Sequence, residues 1–267
     1  VSVNEEVRQR FAISEEAKAN WDARVAERRL EEAATLSAKA VLSPEVEAKL
    51  KVVFEEKVDR IEQKIVDLKA EGKTEEAAKL SSRLEGMLDV QERVLARIAS
   101  STQGVATSTR PMPLLDAVRV KVRDAQKERV ETEASITSTL RVGVETAAQN
   151  RVAEATRKIA QAREQVAKHA EKLGAEATAK ATAELDAAAK VVVEAELALK
   201  NKNYAEAFAL ASKAHRMAAQ IPALIRVHTK VDGTVSVRGL LEDGEKKREQ
   251  TEPTDRQERA DAIERRA

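Results

Sequence analysis

Apolar residues recur at alternating spacings of three and four along the first hundred residues, and this pattern predicts three helices. The first helix begins near Ser14 and carries a seam of mostly small residues: Ala19, Ala23, Ala26, Leu30, Ala33, Ser37 and Ala40. Ser43 and Pro44 open the second helix as N-cap and first helical residue, and Gly72 separates it from the third. Because the connections are short, residues 1–100 are predicted to form a three-helix antiparallel bundle.

A Ser/Thr/Gly/Pro-rich stretch at residues 101–113 predicts a linker. Beyond it, helical periodicity from Leu114 to Leu173 predicts one long helix, which we expect to continue through the β-branched stretch 135–146. Gly174 is predicted to end this helix, and the rest of residues 114–228 then forms a C-terminal helical hairpin that Pro222 kinks or ends.

The last segment, residues 229–267, departs from helical periodicity. Alternation around Asp232-Gly233 predicts a short β-hairpin, and the charged sequence from Gly239 onward predicts a disordered tail. The fold class is therefore all-α: elongated antiparallel helical bundles of coiled-coil type, two of them joined by a long central helix, followed by a disordered charged tail.

Composition supports helices and narrows the chemistry. Of the 267 residues, 42% are hydrophobic but only 2% aromatic, which is typical of thin helical bundles. The 47 basic and 46 acidic residues are interspersed, so we expect no basic face for nucleic acid. The absence of cysteine excludes disulfides, thiolate metal sites and a cysteine nucleophile.

The histidines do not form a pattern of metal ligands or catalytic groups. None of His169, His215 and His228 follows a glutamate by three residues, and no two share metal-ligand spacing on one helix. His215 edges an apolar helix face and is interpreted as a packing histidine. We therefore predict no metal, no cofactor and no enzymatic activity.

The stretch "WDARVAERRLEEA", residues 21–33, holds the only tryptophan beside paired arginines and glutamates. Its leading interpretation is the packing and pairing face of the first helix, with the arginines in ion pairs. The alternative is a surface that binds an anion or a protein. Trp21, Arg28 and Arg29 are the candidate interaction surface.

The segment "RVAERRLEEA" at residues 24–33, with "VSVNEEVR" at residues 1–8 and the later "YAEAFALASKAHRMA", resembles a bacterial family of uncharacterised helical domains. That family is common in candidate-phyla bacteria, and its members carry one membrane-spanning segment before the "AERRLEEA" helix. The resemblance implies an extracytoplasmic domain whose N-terminal membrane anchor is missing from this sequence. It implies no activity, because the family has none assigned.

Two functions are consistent with these patterns. The first is a non-enzymatic helical module of the cell envelope, acting as a stalk, a spacer or a protein-interaction surface. The second is a regulatory coiled-coil protein that binds a signalling partner through helix–helix contacts, using the alanine seam of the first helix. Either one implies a protein partner, whose identity the sequence does not indicate.

Overall fold

The computed structural model of the chain describes residues 15–39, 41–102, 112–139, 144–230 and 239–247. These residues form helices and short connections without any strand, which confirms the predicted all-α class. The predicted β-hairpin turn at Asp232-Gly233 and the chain after residue 247 lie outside the described part. None of the described helices combines the length and apolar character that crossing a membrane demands.

The first group of helices follows the predicted order. It contains α1 (Glu15–Ala38), α2 (Pro44–Ala70), α3 (Thr74–Thr102) and α4 (Pro113–Thr139). Ser43 caps α2 as predicted, since its Oγ accepts a hydrogen bond from the Val46 backbone N–H at 3.3 Å. Gly72 takes a positive φ of 74° in the turn before α3, a conformation that glycine adopts without steric cost.

The sequence predicts three helices in this group, whereas the structure adds α4 to them. The helix packs on α3 and α2 instead of leading away from them. It buries a stripe of apolar side chains: Leu114, Leu115, Val118, Val122 and Ala125. Its first turn is also held by α2, because the buried carboxylate of Glu47 accepts the Leu114 backbone N–H at 3.1 Å.

The second group is built from α5 (Val144–Lys200) and α6 (Tyr204–Lys230). Gly174 interrupts α5 with φ 78° and ψ 164°, which confirms the predicted helix end at this residue. The two segments fold back on each other, since Arg163 Nη2 lies 2.7 Å from Asp186 Oδ1 although the two residues are 11 and 12 positions from Gly174. Residues 140–143 lie outside the described part, so helix continuity across them stays a prediction.

Pro222 does not end α6, which continues to Lys230. A proline inside a helix removes one backbone hydrogen bond and costs about 3 kcal/mol. Four neighbouring side chains offset this cost by being buried in the core: Ile221, Leu224, Ile225 and Val227.

Residues 239–247 form a further helix, α7, where the sequence predicts disorder. Leu240 and Leu241 are its only large apolar residues, and both are buried. Arg93 of α3 donates from Nη1 to the Leu240 carbonyl at 2.7 Å. A Cβ at Gly244 would overlap the Arg93 guanidinium, so this glycine lets the helix lie directly against α3. The correction to the predicted tail therefore applies to these nine residues.

One hydrophobic core runs through both groups. Buried residues from every helix, α1 to α7, belong to a single connected cluster. The groups meet where α6 packs against α3 and, over a smaller area, against α4. Arg226 of α6 also forms an ion pair with α1, since its Nε lies 3.5 Å from Glu31 Oε1. The second group is therefore docked along the first, and polar side chains from both groups meet at the junction.

Candidate functional site at the junction of the helix groups

The three residues of the predicted interaction surface occupy different environments on α1. Arg28 is exposed, whereas Trp21, one heptad earlier, is partly buried. Arg29 is partly buried, and its Nη1 donates to both carboxylate oxygens of Glu32, at 2.7 Å and 2.6 Å. The cluster is therefore at least partly an intrahelical ion pair, and Arg28 is the member whose side chain is most open to solvent.

The alanine seam of α1 is filled inside the chain. Ala26, Leu30 and Ala33 are fully buried, and α1 packs against α2 and α3. Small residues allow this close approach of helix backbones. A partner helix would have to displace α2 or α3 to reach the seam.

The most unusual feature of the junction is a buried arginine on α4. Arg129 has no exposed surface, and it faces two glutamates. Its Nε lies 2.6 Å from Glu85 Oε2 of α3, and its Nη1 donates to Glu133 Oε2 at 3.0 Å. Burying a charged group is unfavourable unless it is paired, so these contacts are needed for the site to exist.

A second arginine, Arg216 of α6, closes the network across the junction. Its Nη1 lies 3.2 Å from Glu133 Oε1, and its Nε lies 3.5 Å from Glu85 Oε2. Each glutamate is thus shared by two guanidinium groups from different helices. We call Arg129, Arg216, Glu85 and Glu133 the buried ion-pair network.

Arg151 of α5 extends this polar interior toward the start of the second group. Its Nε donates to Ser212 Oγ of α6 at 3.0 Å, and its Nη2 donates to Ser82 Oγ of α3 at 3.3 Å. Its Nη1 donates to Glu154 at 3.1 Å. Burial raises the pKa of Glu154, but hydrogen bonds from Lys79 and Arg151 outweigh burial, and its net pKa is lowered.

One feature of the sequence indicates that Arg129 lies on the buried face of α4. It follows Val118, Val122 and Ala125 at spacings of four, three and four, so it occupies a position of the apolar stripe of α4. A charged residue at such a position is either at the end of the buried face or paired inside it. Its partner Glu133 follows it by four residues on α4, a spacing that allows an ion pair, whereas Glu85 comes from α3 and cannot be identified from spacing along α4.

His215 lies close to the same polar interior, on α6. Burial, and then the positive charges of Arg151, Lys158, Arg216 and Arg83, lower the pKa of His215 to about 3. The imidazole is therefore neutral at physiological pH. This agrees with the predicted packing role as far as charge is concerned.

The described residues contain no group of three or more histidine, cysteine or acidic side chains placed to hold a metal ion. The carboxylates of the ion-pair network instead face guanidinium groups, which position helices and supply no open coordination site. What this arrangement can do is hold three helices in one register.

Comparison of the chain with protein-family models, with curated proteins and with solved structures finds no match.

Proposed function

We propose that this chain is a non-enzymatic helical module of the cell envelope that serves as a rigid spacer and protein-interaction surface. The observation that carries the proposal is the junction between the two helix groups. A continuous apolar core crosses it, and the buried ion-pair network spans α3, α4 and α6. A spacer needs a fixed angle between its parts, and buried charges that tolerate little displacement support one.

The envelope location rests on the resemblance of residues 1–42 and 204–218 to membrane-anchored extracytoplasmic domains. In this proposal the chain attaches to the membrane through an N-terminal anchor outside the present sequence. The absence of cysteine is compatible with an oxidising compartment.

The interaction surface includes the outward face of the helical segment 175–200. Val193 and Leu197 lie one turn apart on it and keep 63% and 58% of their surface exposed. Exposed apolar side chains at this spacing suit contact with another protein. Arg28 on α1 supplies an exposed charge elsewhere on the surface.

Rigidity is testable by pulsed electron spin resonance between two labelled cysteines. Val52 on α2 and Val193 are both 63% exposed, and the chain has no native cysteine to interfere. We expect the V52C/V193C pair to give one narrow distance distribution, because the two helix groups share a core. A broad or bimodal distribution would contradict the spacer.

Location is testable by fractionating the source organism with an antibody against the chain. We expect the full-length protein in the envelope fraction, where external protease digests it in intact cells. Recovery in the soluble cytoplasm would contradict the location without bearing on rigidity.

The alternative, a regulatory coiled coil that exchanges helices with a partner, has less support. It requires access to the seam of α1, which is buried against α2 and α3. No observation among the described residues favours it.

A further inference from the structure

The helical segment 175–200 of α5 carries a line of exposed residues along its outward face. They recur at spacings of four, three, four, three and four, and all six are exposed: Ala179, Ala183, Asp186, Lys190, Val193 and Leu197. We call these six residues the outward seam. Alternating spacings of three and four keep residues on one side of a helix, as in the contact line of a coiled coil.

The outward seam lies opposite the face that builds the core. Each of its residues is two positions from a buried one, as Ala183 is from Ala181 and Leu185. Two positions turn an α-helix by about 200°, so the buried face and the outward seam are on opposite sides. The segment therefore has two faces with coiled-coil spacing, and only one of them is covered within the described chain.

Four of the six residues in the outward seam are apolar, although the solvent face of a helix is normally polar. Val193 and Leu197 keep 63% and 58% of their surface exposed, and Leu197 is the only leucine among the exposed large apolar residues of the described chain. A single exposed apolar residue needs no explanation, whereas several in one line indicate a contact surface.

The order of residue types makes the outward seam complementary to its own reverse. The spacings read the same in both directions, so an antiparallel copy of the helix can align all six positions. In this register large side chains face small ones and an acid faces a base: Leu197 opposite Ala179, Val193 opposite Ala183, and Lys190 opposite Asp186. A two-fold axis repeats each of these pairs, as in the symmetric interface of a homodimer.

The two charged residues favour this register over the alternatives. A parallel pair would set Asp186 against Asp186 and Lys190 against Lys190. Shifting the antiparallel pair by seven residues would leave both charges opposite apolar side chains. Both charges are available for contact, since Lys190 forms no ion pair within the described chain and the Asp186 side chain is 57% exposed beside Arg163.

We infer that the outward seam binds a second copy of this chain in an antiparallel, two-fold symmetric contact. The inference rests on the proposed interaction surface and deepens it by naming the partner. The seam is about 27 Å long, and a single pair of helices of this length buries less area than a standard interface. The dimer is therefore weak, with a dissociation constant of roughly 10–100 µM.

Sedimentation velocity of the full chain over a concentration series of about 1–500 µM measures this association. V193K should raise the dissociation constant at least about tenfold, because it replaces an apolar contact by a charge that would be buried in the dimer. V52K is the matched control, since Val52 on α2 is also a valine that is 63% exposed. The control variant should associate as the parent does.

Two charge reversals test which residues face each other. D186K and K190E each set like charges opposite each other in the antiparallel register, so each variant alone should associate more weakly than the parent. A mixture of the two variants should associate again, because each residue then faces the opposite charge. Both positions are exposed, so both variants should fold as the parent does, which circular dichroism checks.

Cysteine cross-linking tests the direction of the helices, and the chain has no native cysteine to interfere. In the antiparallel register residue 183 faces residue 193, whereas equal positions are at least about 15 Å apart, too far for a disulfide. A183C and V193C proteins should therefore form a disulfide-linked dimer when mixed under oxidising conditions, and neither should do so alone.

A chain that stays monomeric over the whole concentration series overturns the inference. A dimer that V193K leaves intact, or a disulfide that either cysteine variant forms alone, overturns it as well. None of these results contradicts the rigid spacer, because the distance between labels at residues 52 and 193 is measured in single chains diluted with unlabelled protein.

Discussion

Replacing Arg129 by methionine tests whether the buried ion-pair network holds the helices together. Methionine keeps much of the side-chain volume and removes the charge, so the change isolates electrostatics from packing. The side chain of Arg129 is 1% exposed, and those of Glu133 and Glu85 are 3% and 15% exposed. Without Arg129, each carboxylate loses one of the two guanidinium groups that it contacts and keeps Arg216.

The magnitude follows from burial. Breaking a buried ion pair by removing one partner costs about 3–5 kcal/mol, because the remaining charge is left without compensation. Arg216 still contacts both glutamates, at 3.2 Å and 3.5 Å, so we expect the lower end, about 3 kcal/mol. In a chain of this size such a loss lowers the melting temperature by roughly 6–12 °C.

Urea unfolding followed by circular dichroism at the helical band measures this loss, and Arg163→Met is the matched control. Arg163 pairs with Asp186 at 2.7 Å, but both side chains are more than half exposed, so the control should cost at most about 1 kcal/mol. Adding Glu133→Gln to Arg129→Met should recover part of the stability, since it removes a buried carboxylate that has lost one of its guanidinium partners. If Arg129→Met costs no more than Arg163→Met, the network does not stabilise the junction.

Three further predictions concern single residues. His215 is neutral in the folded chain, whereas in the unfolded chain it takes up a proton below about pH 6.5. The free energy of unfolding should therefore decrease as the pH is lowered from about 6.5 to the folded pKa of about 3, by at most about 1.4 kcal/mol per pH unit. His215→Gln should remove this contribution, which urea unfolding at pH 7 and pH 5 measures. Gln91 is fully buried, and neither its amide oxygen nor its amide nitrogen has a hydrogen-bond partner within the described chain. Gln91→Met should therefore raise the free energy of unfolding by about 1–3 kcal/mol. An unchanged or lower value would mean that the amide has a partner. Gly244→Ala should speed hydrogen exchange across residues 239–247, because its methyl group would displace Arg93, whereas Gly86→Ala, which meets a neighbour only at 3.9 Å, should not.

Periodicity predicts those parts of the fold that depend on neighbours in sequence. All six apolar positions of the α2 stripe, Leu50, Phe54, Val58, Ile61, Ile65 and Leu68, are buried in the structure. The cap at Ser43 and the turns at Gly72 and Gly174 are likewise local, because their backbone requirements are met within a few residues. Features of this kind can be predicted from a single sequence.

The errors concern contacts between distant residues. Helix α4 has the same kind of apolar stripe whether it leads away from the first group or packs on it, so the pattern does not choose between them. One contact that holds α4 on the first group is made by Glu47 of α2, which accepts the Leu114 backbone N–H from 67 residues earlier. A glutamate in the first turn of α2 looks like an ordinary favourable dipole interaction, and nothing in the sequence assigns it to another helix.

Helix α7 shows the same limit more sharply. Two adjacent leucines among charged residues do not give an amphipathic stripe, and two glycines lower helix propensity, so the composition indicates disorder. When α7 packs against α3, each of these residues has a structural role. The leucines fill a core that other helices have already built, Gly244 makes room for Arg93, and Lys247 lies 2.8 Å from Asp89 of α3. This segment is held by contacts with a surface that the rest of the chain forms, and nothing in its own sequence identifies that surface. The sequence of α3 likewise does not assign Arg93 and Arg97 to residues 239–247, which they contact in the structure.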